Sequence, residues 1–185
     1  MNTSPSADGD VQRLASCVYS IPDFPKPGVL FRDVTGIFDT AEGFRLSIDL
    51  FVKALKEVDF DLIVAPESRG FIFGAALADR MGKAFVPIRK PGKLPRETIH
   101  EEYDLEYGKA TVHMHKDAVA KGEKAIIVDD LLATGGTALA GARLVERLGG
   151  EVVKMVFALE LDGFDARHGK LANYAVESLI HYPGK

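Results

Sequence analysis

The stretch from Ala125 to Leu148 constrains the fold more than any other part of the chain. An apolar run (AIIV, Ala125 to Val128) is followed by a glycine-bearing loop and then by a helical pattern over Ala138 to Leu148. Gly149 and Gly150 close that pattern, and Val152 to Leu161 is again almost wholly apolar. A strand apolar on both faces must be covered on both sides, which is the situation of a parallel sheet between helices.

The same alternation runs through the earlier chain. Glu42 to Glu57 carries Phe44, Ile48, Phe51, Ala54 and Leu55 at helical spacing, which predicts an amphipathic helix. Asp61 to Pro66 reads as a buried strand, Phe71 to Met81 as a helix stopped by Gly82, and Ala84 to Arg89 as the next strand. From Lys90 to Glu102 the chain is polar and broken by Pro91, Gly92 and Pro95, so a long surface loop is expected. Ala110 to His115 alternates like a half-buried strand, with His113 and His115 expected to be exposed, not to form a metal pair. The fold expected is therefore α/β, with a mainly parallel central sheet flanked by helices.

Length and charge narrow the possibilities further. The 185 residues suit one domain over residues 11–185, preceded by a polar, frayed tail over 1–10. A net charge of −4 gives no global attraction to nucleic acid, so an anionic ligand must be held by local groups. No apolar run approaches the roughly 20 residues that span a bilayer. The single Cys17 fits a reducing, cytoplasmic setting.

The chemistry concentrates in IIVDDLLATGGT, Ile126 to Thr137. Asp129 and Asp130 leave a buried strand, and Thr134, Gly135, Gly136 and Thr137 open a helix. Glycines admit close backbone approach, and a helix N-terminus favours an anion. A phosphate cradle beside two carboxylates suits a phosphorylated sugar. The alternative, a simple cap and turn, does not account for the two acids. Neither GxxxxGK[ST] nor GxGxxG is present here.

This segment resembles the phosphoribosyl pyrophosphate-binding motif of type I phosphoribosyltransferases. IPDFPKPGVLFRDVT from Ile21, ESRGFIFGAALA from Glu67, IRKPGKLP from Ile88 and YDLEYGKA from Tyr103 are similar to the adenine-specific branch, in the same order. The resemblance implies that fold, with a small hood over about 20–40 and a flexible lid over about 90–108. It implies 5-phosphate binding by Ala133, Thr134, Gly135, Gly136 and Thr137, and ribose binding by Asp129 and Asp130. Ser68 and Arg69, with Arg89 and Lys93, would contact pyrophosphate, one of the latter pair across a homodimer. Adenine would lie between Phe31 and Leu131, its edge read by backbone groups of Leu30 and Arg32.

Glu106 would be the catalytic carboxylate and Tyr107 its gate. Spacing alone does not separate Glu106 from Glu101 or Glu102, which are expected to be solvated lid residues. Likewise, on residue type alone, Phe31 could be a core anchor, and Arg69, Arg89 and Lys93 solvated cations. Magnesium is expected, held mainly by substrate oxygens and water. Two departures from the family pattern are Pro66-Glu67 before the pyrophosphate loop and Pro91, where some relatives carry a basic residue. Other purine phosphoribosyltransferases, or a non-catalytic regulator that binds phosphoribosyl pyrophosphate, are the alternative readings.

Overall fold

Every run read as a doubly apolar strand enters one five-stranded sheet in the computed structural model, which describes residues 7–104 and 108–184. Helix α1 (Ala7–Ala15) leads into a hairpin of β1 (Tyr19–Pro22) and β2 (Leu30–Asp33). Then follow α2 (Ala41–Leu55), β3 (Leu62–Pro66), α3 (Arg69–Met81) and β4 (Ala84–Ile88). An antiparallel pair, β5 (Thr98–Asp104) and β6 (Lys109–His115), comes next. The chain continues through β7 (Lys124–Leu132), α4 (Gly136–Arg147), β8 (Glu151–Leu161) and β9 (Val176–Tyr182). The central sheet has the order β4-β3-β7-β8-β9 and is parallel throughout.

The two-residue period of the strands distributes their side chains between two cores. Ile63, Ile126, Val128, Val156 and Ala158 face α1, α2 and α3, where Leu14, Phe51, Leu55, Phe73 and Leu77 meet them. Leu62, Val64, Ile127, Met155 and Phe157 face the other way, onto Leu144 and Val145 of α4 and onto Val112 and Met114 of β6. Burying each large side chain contributes about 1.5–3 kcal/mol, and both faces must be apolar to gain it. Helix ends follow local chemistry: Thr40 accepts a hydrogen bond from the Gly43 amide at 3.0 Å, and Gly82 takes the left-handed conformation that closes α3.

Several expectations need correction. The tail expected over 1–10 gives way to helix at Ala7, because Leu14 of α1 is fully buried against the first core; the rest of that tail lies outside the described residues. The long loop expected over 90–102 becomes strand from Thr98, since β5 finds a partner in β6. His115 is buried, not exposed, and its Nδ1 makes no hydrogen bond among the described residues. His113 is half-buried, stacked on His100, with Thr98 Oγ1 at 3.1 Å from its Nδ1. Burial and the neighbouring His100 lower its proton affinity. No helix among the described residues is long and apolar enough to cross a membrane.

Candidate active site

β3 and β7 are parallel neighbours, so their carboxyl ends open at one edge of the sheet, where ligands of such folds bind. A cavity of about 580 Å³ lies there, lined by the loop after β3, the end of β7 and the start of α4. Asp129, Asp130, Leu131 and all of Ala133 to Thr137 line it, together with Ser68 and Arg69. The two segments are thus brought together as expected. β7 runs further than its apolar sequence suggested, because Asp129 and Leu131 pair with Phe157 and Leu159 of β8. Both acids therefore sit on a rigid strand end.

Gly135 precedes α4 with φ +73°, and a Cβ there would stand 3.2 Å from Ala166 and from Leu171. The conformation demands glycine, and a Cβ would also crowd those two side chains. The helix then starts at Gly136 with its first turn on the cavity wall, so its unpaired N–H groups and dipole favour an anion there.

At Gly70 a Cβ would come within 2.8 Å of Asp129 Oδ1 and 2.9 Å of the Pro66 ring. Only glycine lets α3 start this close to the acid. Asp129 Oδ1 accepts a hydrogen bond from the Asp130 amide at 2.9 Å. Burial and the charge of Asp130 push the Asp129 carboxyl well above the usual carboxylate range. Asp130 is buried and accepts a hydrogen bond from Arg69 Nε. Burial works against the Arg69 charge, but Asp130 and Asp129 outweigh it and raise its proton affinity. Arg69 is therefore a cation held at the cavity wall by Asp130, although its side chain is still 43 % exposed. The peptide joining Glu67 to Ser68 is cis.

The remaining site residues stand elsewhere. Arg89 and Lys93 do not line the cavity. Arg89 Nε donates to Glu67, and its guanidinium lies 5.8 Å from the Phe71 ring centroid. Burial would raise the Glu67 carboxyl, yet Arg89 holds it below its usual range. Lys90 and Pro91 line the cavity in their place. Leu30, Phe31 and Arg32 lie on β2, outside the cavity wall. Phe31 meets Phe24 edge-on at 5.1 Å, and Arg32 lies 4.1 Å over the Tyr182 ring, tying the hairpin to β9. Glu106 and Tyr107 lie outside the described residues.

Sequence reasoning missed two features. Tyr103 lines the cavity, its Cδ2 3.0 Å from where a Gly136 Cβ would be; its sequence signal was its place at the head of the YDLEYGKA segment, which assigned it no role. Glu101 is not a solvated lid acid. Its side chain is 19 % exposed and binds Arg143 at 3.1 Å and Arg147 at 3.2 Å. Glu102 next to it is 54 % exposed and pairs with Lys109. Among the described residues, Glu160, Asp162 and His181 form a group with metal-binding atom types. It lies outside this cavity, with Glu160 already bound to Arg167 and Ser178.

Comparison with known proteins agrees with this geometry. Residues 33–179 match the phosphoribosyl transferase domain family. The adenine phosphoribosyltransferase of Lachnoclostridium phytofermentans is 53% identical over 175 residues, covering 95% of this chain and 100% of that one. The crystal structure of the Thermoanaerobacter pseudethanolicus enzyme superimposes with a TM-score of 0.90 at 52% identity, over 93% of this chain and 99% of that one. The Saccharomyces cerevisiae enzyme, solved with an imino-altritol bisphosphate and adenine, gives a TM-score of 0.87 at 40% identity, covering 93% and 99%. The chain is thus like these proteins along nearly its whole length and belongs to the adenine phosphoribosyltransferases.

Proposed function

We infer that this chain transfers the 5-phosphoribosyl group of phosphoribosyl pyrophosphate to adenine, yielding AMP and pyrophosphate. The observation that carries the reading is the opposition, across one cavity, of the α4 N-terminus to Asp129, Asp130 and Arg69. That arrangement supports a division of labour. Ala133 to Thr137 take the 5-phosphate, the two acids take the ribose hydroxyls, and Ser68 with Arg69 take the pyrophosphate. Adenine stacks on Leu131 under the β1–β2 hood, with Phe31 opposite and the backbone of Leu30 and Arg32 at its edge. The engagement of the Arg32 side chain with Tyr182 and Ser20 supports a backbone role for that residue.

Adenine N9 attacks C1 of the sugar as pyrophosphate leaves with inversion. Bond breaking leads, so positive charge builds on the ribose ring, and pre-positioned carboxylates lower that barrier. Magnesium belongs to this proposal. Asp129 and Asp130 on the cavity wall are oxygen donors of the kind a hard cation takes, and substrate oxygens and water would supply most of its shell. When bound it neutralises charge on the leaving pyrophosphate. Glu106 takes or relays the N9 proton, and Tyr107 gates the base. Formation of AMP from adenine and phosphoribosyl pyrophosphate by the purified chain tests the reading; no AMP would end it.

The working unit we propose is a cytoplasmic homodimer. The hood exposes Tyr19, Ile21, Phe24 and Leu30, each 41–51 % accessible, an apolar cluster of the kind interfaces cover. One of Arg89 and Lys93, both outside the cavity lining of their own chain, then serves pyrophosphate across the interface. Sedimentation at assay concentration should give twice the chain mass, with an interface above about 2,000 Å² in total. A fully active monomer would overturn it.

A further inference from the structure

Arg89 and His113 bridge the β5–β6 hairpin to the central sheet by backbone hydrogen bonds of 3.0 and 2.7 Å, and Val112 and Met114 of β6 pack on the sheet's second core. Beyond that bridge it lies on α4. The contact has a polar end and an aromatic end. At the polar end Arg143 and Arg147, one helical turn apart and so on one face, both reach Glu101, and Arg147 also donates to the His100 carbonyl at 2.6 Å. Further along β5, Tyr103 and the Asp104 carbonyl stand 3.0 and 3.3 Å from the Cβ position of Gly136. Gly136 lies seven residues before Arg143, two helical turns, so it falls on the same side of α4. It is also the first residue of the phosphate-binding helix turn.

We propose that Glu101 is a positioning residue for phosphoribosyl pyrophosphate binding: its clamp on Arg143 and Arg147 holds Tyr103 over Gly136 and thereby closes the phosphate cradle. Three observations support it. Glu101 is the shielded acid of the Glu101–Glu102 pair. Its two partners sit on the helix whose N-terminus forms the cradle. Tyr103 both lines the cavity and touches that helix start. A looser hairpin leaves a smaller fraction of molecules with the cradle closed, and apparent affinity falls by that fraction.

The proposal rests on the phosphoribosyl-transfer reading, and its test keeps the two apart. Steady-state kinetics of the full chain are measured for wild type, Glu101→Gln, Arg147→Gln, Tyr103→Ala and the exposed control Glu102→Gln. Glu101→Gln should raise KM for phosphoribosyl pyrophosphate about threefold to tenfold, the range two partly screened ion pairs can support. KM for adenine and kcat should stay within about twofold. Tyr103→Ala should reproduce the shift, and combining it with Glu101→Gln should add little, because both remove one closure. Amide exchange over residues 98–104 should quicken in Glu101→Gln while that of α3 is unchanged. If Glu101→Gln does not fold, Arg147→Gln carries the same expectation. Kinetics of Glu101→Gln matching those of Glu102→Gln, or a loss confined to kcat, would overturn the clamp. Failure of the wild type to use adenine would instead overturn the underlying reading.

Discussion

Replacing Asp129 or Asp130 with asparagine is expected to leave a folded protein that has lost at least about 10²-fold in kcat/KM, or about 3 kcal/mol of transition-state stabilisation. The amide keeps the shape of the acid. It removes charge where the sugar ring becomes cationic, and it turns one acceptor of the diol hydroxyls into a donor. The pair should differ in stability. The proton affinity of Asp129 is raised in the folded state, so the stability it contributes is complete below the ordinary carboxylate range. That stability is lost as pH rises through its raised value. At any pH where Asp129 is ionised, Asp129→Asn removes a charge that the fold disfavours, and its Tm there should equal or exceed that of wild type. Asp130→Asn instead strips Arg69 of its partner and should melt slightly lower. Thermal melts at neutral pH and activity assays on the same preparations separate these effects. Near-normal turnover by both variants would make the acids structural.

Glu106→Gln is expected to lower kcat by about 10²–10⁴-fold, the usual worth of general acid–base assistance. Glutamine keeps size and a hydrogen bond but cannot accept the N9 proton. KM for phosphoribosyl pyrophosphate should barely move, because in the proposed reading the phosphate and pyrophosphate groups fall to other residues. This signature is the reverse of that expected for Glu101→Gln, five residues earlier, where KM moves and kcat does not. Glu102→Gln should change neither beyond about 0.5 kcal/mol. Steady-state kinetics on the three variants therefore assign three acids of one charged stretch to three roles. A Glu106→Gln enzyme no slower than Glu102→Gln would remove Glu106 from the chemistry.

The parts of the site legible in sequence are those whose chemistry is local. Gly135 and Gly136 announce a turn that admits a ligand, and the apolar run before Asp129 announces a strand end at the carboxyl edge of a sheet. What was not legible depends on residues far apart in the chain. Arg69 is fixed by Asp130, 61 residues away, and nothing near Arg69 reveals that partner. Glu101 looks like Glu102 until α4 supplies Arg143 and Arg147. Thr98 to Glu102 reads as part of a polar loop because only Ile99 there faces apolar neighbours, too sparse a pattern to announce a strand. β9 (VESLIHY) was missed for a similar reason: Glu177 and His181 interrupt its apolar residues, although Ile180 is buried in the first core. Arg89 was read by its resemblance as a pyrophosphate contact, and its bond to Glu67 is a contact between two loops that spacing does not encode.

The account stands most directly on base selectivity, measured as kcat/KM for adenine against hypoxanthine and guanine with saturating phosphoribosyl pyrophosphate and magnesium. In the proposed reading the hood backbone accepts from the 6-amino group, so a 6-oxo group would meet it acceptor to acceptor and leave both unpaired. Adenine should be favoured at least about a hundredfold over either base. A comparable kcat/KM for hypoxanthine would contradict the adenine assignment while leaving the fold and the phosphate cradle in place.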